Sequence, residues 1–268
     1  MNIFHSIILG AVEGITEFLP ISSTFHLIFT AKLLQIPQTD FTKLFEVFIQ
    51  GGAILAVVLI YFKELLHNRT LAKKVFIAFL PTATVGFLLY KIIKNVFFES
   101  QWLMLGVFVA VAVIFIIVEK FIVQKSSINP SPNLPLNKPL KSLSFTQAIF
   151  IGLVQALAVI PGVSRSGSVI VGMLFLGYDR SESAKFSFML SIPTILAASF
   201  YDLYKMRAVA FANLNNVNLL AVGFVVSFVF AWLSVKWLIK FLQTHSLVPF
   251  GLYRLALAAL ILLSLNFL

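Results

Sequence analysis

The chain has 268 residues, of which 60% are hydrophobic and only 11% are charged, and 29 of them are Phe. A water-soluble domain of this length cannot bury so much apolar surface, so the composition excludes a soluble globular protein and predicts an integral membrane protein. The formal net charge of +10 does not indicate a nucleic-acid partner, because the Lys and Arg residues fall mainly in short gaps between apolar runs. The chain contains no Cys, which excludes disulfides and thiolate metal sites.

Six apolar segments are long enough to cross a bilayer as helices, because a full span needs about 20 mostly apolar residues. Two further apolar regions are interrupted near their middles by Pro20 and Pro161, each beside small polar residues. Broken helices at membrane depth occur only where they are buried in protein or line a cavity, so each of these regions is predicted to be a re-entrant helical hairpin. The predicted spans are 44–62, 74–94, 101–123, 183–205, 217–242 and 249–268, and the predicted hairpins are 3–35 and 145–177.

The two interrupted regions resemble each other. An offset of 142 residues places Glu13 on Gln155 and Ser22 on Ser164, and each region is followed by three full spans. This internal repeat predicts two halves of one membrane domain, and because three is an odd number of crossings the halves must have inverted topology. The predicted divisions are a first repeat, a linker and a second repeat, at residues 1–123, 124–144 and 145–268.

Positive charge is distributed unequally over the two faces that this topology defines. One face collects twelve Lys and Arg residues and the other collects six. The richer face is predicted to be cytoplasmic, which places the linker inside and both termini outside. The first hairpin then enters the membrane from the outer face. The first 19 residues carry two Glu residues, so a cleavable signal peptide is not expected there.

Two carboxylates precede the first break. Glu13 and Glu17 are four residues apart and therefore project from one face of a helix, one turn apart. At membrane depth each ionised carboxylate costs roughly 2.5–3.5 kcal/mol on insertion scales, so the pair indicates a metal, proton or catalytic role in preference to structural pairing.

Hydroxyl groups and an imidazole follow the first break. Ser22, Ser23 and Thr24 restart a helix after Pro20, and capping of that helix is the simplest interpretation of any one of them. Together, hydroxyl groups and backbone amides at a helix start also form an anion site. His26 follows one turn later and can share the face of Ser23, where it is either an interior polar group or an acid/base.

The second break repeats the arrangement and adds an Arg. Pro161 and Gly162 turn the chain, and Ser164 and Ser166 are predicted to cap the next helix. Arg165 carries a permanent charge and a fork of donors that fits phosphate oxygens. A salt bridge from Arg165 to one of the two Glu residues of the first break is the alternative, and the two interpretations are compatible.

Other polar residues carry less weight. Gln155, the neutral counterpart of Glu13, is expected to hydrogen-bond the broken backbone. Glu46 and Gln50 lie one turn apart on the first full span and are expected near the site. Arg254 lies near a predicted helix end and is expected at the membrane interface.

Carboxylates for a cation, a hydroxyl nucleophile, an imidazole, an Arg and two anion-binding helix starts suit phosphoryl transfer, in which catalysis is mostly positioning and charge stabilisation. No P-loop or HExxH motif is present, so nucleotide hydrolysis and zinc proteolysis are not indicated. Inverted repeats with broken helices are also the architecture of secondary transporters. A transporter or flippase of an anionic lipid or phosphate compound is therefore the alternative function.

The sequence resembles the bacterial undecaprenyl-diphosphate phosphatases, also called bacitracin-resistance proteins. The motifs that carry the resemblance are EGITEFLPISSTFH at Glu13–His26 and PGVSRSG at Pro161–Gly167, with FEVFIQ at Phe45–Gln50 in support. The resemblance covers essentially the whole chain. It implies removal of the terminal phosphate from a polyprenyl diphosphate lipid with a divalent cation, Mg²⁺ or Ca²⁺, in a fold of inverted repeats with re-entrant hairpins. The lipid is the carrier for peptidoglycan synthesis, so recycling it would give bacitracin resistance.

The resemblance also implies roles for individual residues. Glu13 and Glu17 are the acidic pair that holds the cation, Ser23 is the nucleophile, Arg165 anchors the phosphate, and His26 is an acid/base or a phosphate contact. Glu17 or His26 would accept the Ser23 proton, and attack by a water activated by the cation is the rival mechanism. The other residues expected at the substrate are Ser22, Thr24, Ser164, Ser166, Gly167 and Gln50.

The same resemblance implies the bacterial cytoplasmic membrane as the location, and the charge distribution predicts that the site opens to the outer face. Whether the protein is a homodimer stays open. Two positions depart from the family pattern: Phe25 stands where Gly is usual, and Val169 where Thr is usual. Phe25 is expected to narrow the pocket or shift His26. Ser168 is expected to replace the hydroxyl missing at Val169.

Overall fold

The computed structural model describes residues 1–96, 101–123 and 138–263, and most residues in these ranges are helical. Within them no strand is present, only one isolated bridge between Lys138 and Tyr178. The all-α class predicted from the sequence is therefore confirmed. The helices are α1 (Ile3–Thr16), α2 (Ser23–Leu33), α3 (Asp40–His67), α4 (Arg69–Val96), α5 (Gln101–Ile117), α6 (Phe145–Ala156), α7 (Arg165–Phe175), α8 (Arg180–Lys205), α9 (Arg207–Ala210), α10 (Leu214–Thr244) and α11 (Val248–Leu263).

Five of these helices, α3, α4, α5, α8 and α10, are long and apolar enough to cross a membrane, and they coincide with five of the six predicted spans. The sixth predicted span, 249–268, falls on α11, which has 16 residues and is shorter than a full span. Its last residues, 264–268, lie outside the described residues. Most of the predicted linker, residues 124–137, also lies outside them.

Both interrupted regions consist of two short helices with a break between them. α1 ends before Glu17 and α2 begins at Ser23, while α6 is extended by a 3₁₀ turn, Leu157–Val159, before α7 begins at Arg165. The residue directly before each second helix has a left-handed backbone, with φ 68° at Ser22 and φ 66° at Ser164. A side chain disfavours this conformation, so each break stores local strain that its surroundings must hold.

The chain divides into two compact units, and the first contains residues Met1–Leu19, Ser23–Asn68 and Phe188–Leu238. Within this unit α1 packs directly against the backbone of α10. A methyl group on Gly14 would lie 2.4 Å from the carbonyl oxygen of Ser227, so the close approach requires a residue without a side chain. Ser6 supports the contact by donating from Oγ to the Leu219 carbonyl at 2.6 Å.

The second unit contains residues Pro20–Ser22, Arg69–Ser187 and Ile239–Leu268. Here α6 packs on α4 as closely as α1 packs on α10 in the first unit. A methyl group on Gly152 would lie 2.2 Å from the Ala78 carbonyl oxygen. α5 and α11 also pack closely in this unit, where a methyl group on Gly251 would lie 2.9 Å from the Ala112 carbonyl oxygen.

A partly buried ion pair ties three segments of the second unit together where α5 continues as a π-helix, Val118–Val123. The Glu119 carboxylate accepts from Arg180 Nε at 2.8 Å and from Nη2 at 2.6 Å. It also accepts from the backbone N–H of Leu247 at 2.8 Å. This two-pronged geometry holds the start of α8 and the turn between α10 and α11 against the end of α5.

Candidate active site

The first break places a carboxylate against a hydroxyl group in the first unit. Glu13 is fully buried on the last turn of α1, and Glu17 follows it as the helix C-cap, with its N–H bonded to the Glu13 carbonyl at 2.9 Å. Ser23, the first residue of α2, donates from Oγ to Glu17 Oε2 at 2.5 Å. Both side chains are buried, at 9% and 8% exposed. A hydroxyl held against a buried carboxylate is the geometry of a nucleophile and its general base.

The imidazole predicted for this site lies on the same helix as Ser23. His26 is buried on α2, one turn after Ser23. Phe25, the departure from the family pattern, is buried too, and its ring meets the edge of the His26 ring with 6.2 Å between centroids. Thr24 and Gln50, both predicted to contact substrate, are half-buried on α2 and α3.

The described side-chain hydrogen bonds at the second break, which lies in the second unit, involve Ser164. Ser164 caps α7 by accepting from the Gly167 N–H at 3.3 Å, and its Oγ lies 3.2 Å from the Oγ of Ser166. The Ser168 hydroxyl donates to the Ser164 carbonyl at 3.0 Å, so it serves its own helix. Val169 is fully buried in the packed interior.

Arg165 follows the cap as the first residue of α7. Its Nη1 donates to the Ser187 carbonyl at 3.4 Å, and the side chain is half-buried. This contact orients the guanidinium, whose planar fork of donors has the geometry that fits phosphate oxygens.

Gln155, which the 142-residue offset aligns with Glu13, is fully buried on α6. Its Nε2 donates to Thr82 Oγ1 at 2.8 Å, and that hydroxyl donates to the Gly152 carbonyl at 3.1 Å. Gln155 therefore links α6 to α4 through Thr82, and the bond to the broken backbone expected from the sequence stays a prediction.

The sequence also matches a known family along nearly its whole length. The model of the family described as bacitracin resistance protein BacA matches residues 6–260. The chain belongs to this family.

Several relatives of this BacA family member are named undecaprenyl-diphosphatase. The one from Sulfurihydrogenibium sp. (strain YO3AOP1) is 48% identical over 97% of this chain and 98% of the relative. The one from Campylobacter hominis is 46% identical over 96% and 97%, and the one from Aquifex aeolicus is 44% identical over 95% of each. Together with its long apolar helices, family membership makes the chain a multi-pass membrane protein.

Glu13 and Glu17 are the residues of this BacA family member that could hold a cation. In the described ranges no group of three or more His, Asp and Glu side chains suited to a metal occurs. Two buried carboxylates one turn apart still fit Mg²⁺, which proteins commonly hold with one or two carboxylates while substrate phosphates and water complete the shell. The donor set therefore suits a hard cation that arrives with a phosphorylated substrate.

One residue of this BacA family member was missed by the sequence reasoning. Arg254 was expected at the membrane interface, but it is fully buried on α11, so that expectation was wrong. The signal was available, because an ionisable residue inside a predicted span is functional by default. Its proximity to the end of the span obscured that signal.

Proposed function

We propose that this protein is an undecaprenyl-diphosphate phosphatase. It removes the terminal phosphate of the lipid diphosphate and returns undecaprenyl phosphate for cell-wall synthesis, an activity that accounts for the bacitracin resistance in the family's name. Relatives named undecaprenyl-diphosphatase align over almost the entire chain. The structural observation that carries the proposal is the 2.5 Å hydrogen bond from Ser23 Oγ to Glu17 Oε2, because a transporter has no need of an activated nucleophile.

In the first chemical step the Glu17 carboxylate takes the proton of Ser23, and Oγ attacks the terminal phosphorus. A bond forms from Oγ to phosphorus while the bond from phosphorus to the bridging oxygen breaks, and undecaprenyl phosphate leaves with the electron pair. Arg165 and the amides at the helix starts stabilise the charge on the transferred phosphoryl group. His26 protonates the leaving oxygen or contacts the phosphate.

In the second step water attacks the phosphoserine and releases inorganic phosphate. The bond from phosphorus to Ser23 Oγ breaks, and Glu17 returns its proton to that oxygen. His26, or Glu17 once it has given up its proton, takes the proton of the water. A divalent cation, Mg²⁺ or Ca²⁺, held by Glu13 and Glu17 would neutralise the charge of the diphosphate when bound. The hydroxyl groups of Ser22, Thr24, Ser164 and Ser166 and the amides near Gly167, together with the Gln50 side chain, are proposed to complete the phosphate cradle.

We also propose that the fold consists of two inverted repeats, 1–123 and 145–268, each with one re-entrant hairpin and three spans. The matching left-handed backbones at Ser22 and Ser164 support an internal repeat, since they occur at the same point of two helix–break–helix segments. Charge places the linker 124–144 in the cytoplasm and both termini outside. The site then opens to the outer face of the bacterial inner membrane.

Release of inorganic phosphate from undecaprenyl diphosphate by purified, detergent-solubilised protein tests the function. We expect multiple turnovers that require Ser23 and that persist in Ser168→Ala, a matched change of a hydroxyl bonded within its own helix. A protein that binds the lipid and releases no phosphate would be a carrier, and the proposal would be wrong.

A further inference from the structure

Arg254 is a charged side chain that lies in the interior of the second unit without a carboxylate among its described hydrogen-bond partners. It is 0% exposed, although α11 is otherwise mostly apolar. Its guanidinium faces the ring of Phe108 at 4.1 Å and that of Phe115 at 5.7 Å. Such burial is costly for a charge unless hydrogen bonds and aromatic faces replace the lost water.

The guanidinium donates to the backbone of three separate segments. Nε donates to the Phe108 carbonyl on α5 at 3.0 Å, Nη1 to the Pro20 carbonyl at 3.3 Å, and Nη2 to the Gly162 carbonyl at 2.5 Å. All of these residues belong to the second unit. A planar fork with donors in several directions can serve three carbonyls at once, whereas an ammonium group acts as a single point charge.

Two of the three acceptors are corresponding points of the two breaks. Pro20 lies two residues before Ser22, and Gly162 lies two residues before Ser164, the two positions with left-handed backbones. Gly162 itself has φ 96°, and a side chain there would meet the Met104 carbonyl at 2.9 Å. One Arg side chain therefore holds both breaks at the same distance along the chain from the start of the helix that follows.

The first turn of α7 also lies close to Pro20 beside this Arg. An added methyl group on Gly167 would lie 3.4 Å from Pro20 Cβ, and 2.4 Å from the ring of Phe115 that faces the guanidinium. The environment of Arg254 is thus the junction of the two breaks, and strained backbone at such a junction keeps its conformation only when its surroundings hold it.

We propose that Arg254 is a positioning residue for the phosphatase reaction. By holding the carbonyls of Pro20 and Gly162, it fixes the backbone that leads into the helix of Ser23 and the helix of Arg165, without contacting substrate itself. This inference rests on the proposed function. The role goes beyond packing because the hydrogen bonds of Arg254 end on the two breaks, which position Ser23 and Arg165. A shift of about 1 Å in a reacting group can reduce the rate roughly 10²-fold.

The test compares Arg254→Lys and Arg254→Gln with wild type in phosphate release from undecaprenyl diphosphate. We expect kcat to fall roughly 10²-fold while KM stays within a few-fold, because positioning affects the reacting atoms more than lipid binding. The fall in kcat should be larger for Arg254→Gln than for Arg254→Lys. Millimolar guanidinium should restore part of the kcat of an Arg254→Ala variant by occupying the space of the lost group.

Arg180→Gln is the matched control, because it removes another Arg that binds a buried acceptor, Glu119, and its described hydrogen bonds end on no residue of either break. It should lower the Tm and leave the kcat of the folded protein unchanged. If Arg254 variants also lower the Tm and leave kcat unchanged, Arg254 is structural. If they raise KM alone, Arg254 binds substrate. Either result shows that the inference is wrong.

Amide hydrogen exchange provides a readout that does not depend on activity. Arg254→Lys should speed exchange at residues 21–23 and 162–168, with little change in the spans α3 and α10. Unchanged exchange at both breaks contradicts the inference even if the wild type proves inactive. A wild type without phosphatase activity, in contrast, would overturn the proposed function and leave the exchange result to decide the role of Arg254.

Discussion

If Ser23 and Glu17 act as one catalytic unit, their substitutions should not have additive effects. Ser23→Ala removes the nucleophile, and Glu17→Gln keeps the size of the side chain while removing the proton acceptor that lies 2.5 Å from Oγ. General bases contribute about 10²–10⁴ in rate, and loss of a covalent nucleophile costs on the order of 10⁶ in turnover. A base without a nucleophile has no proton to accept, so the double variant should match Ser23→Ala alone.

The expected coupling is therefore the whole effect of Glu17→Gln, about 3 to 5 kcal/mol at 1.36 kcal/mol for each tenfold in rate. Single-turnover phosphate release is measured for wild type, the two single variants and the double variant. Saturating cation is used so that weaker cation binding is not mistaken for loss of the general base. Glu13→Gln is the matched control. Because Glu13 is proposed only to bind the cation, this substitution should reduce the rate by the same factor in wild type and in Ser23→Ala. The reasoning is refuted if Glu17→Gln reduces the rate by the same factor in wild type and in Ser23→Ala.

The remaining predictions concern packing, proximity, topology and the cation. Gly152→Ala should lower the Tm, at a cost of about 1–3 kcal/mol, because its methyl group meets a backbone carbonyl of α4 at 2.2 Å; Gly106→Ala, which meets nothing within 4 Å, should leave the Tm unchanged or raise it. Cysteines at Ser23 and Arg165, introduced into a chain that has none, should crosslink through a short bis-maleimide if both residues serve one phosphate; no crosslink would contradict a composite site. Reporter fusions should read cytoplasmic between α3 and α4 and external at both termini, and the reverse pattern would overturn the orientation. Chelation should abolish phosphate release, and Mg²⁺ or Ca²⁺ should restore it; activity that survives chelation would exclude the cation.

The parts of the fold that follow from local composition could be predicted from the sequence. Long apolar runs identified five helices able to cross a membrane, and Pro20 and Pro161 marked the two breaks. The hydrogen bond between Ser23 and Glu17 could be predicted only in part. The sequence placed both residues near the break but could not fix the rotation of one helix against the next. Only the structure shows that Ser23 Oγ and Glu17 Oε2 lie 2.5 Å apart.

Contacts that depend on distant backbone could not be predicted. The hydrogen bonds of Arg254 end on main-chain carbonyls, and a carbonyl carries no residue-type signal that a sequence pattern could reveal. The pairing of Glu119 with Arg180 was missed for a related reason, since charged residues at a helix end are more often solvated than paired. The hydrogen bond from Gln155 to Thr82 joins residues 73 positions apart, and no local pattern identifies such a partner.

The most direct test of the account is to look for phosphate on Ser23 during turnover. Purified protein mixed with undecaprenyl diphosphate labelled in its terminal phosphate and quenched with acid within one turnover should carry label, and peptide mass spectrometry should place the phosphoryl group on Ser23. Label should be absent from Ser23→Ala. Full phosphate release by the wild type with no labelled protein at any quench time, or label on another residue, would contradict the central claim that Ser23 is the nucleophile.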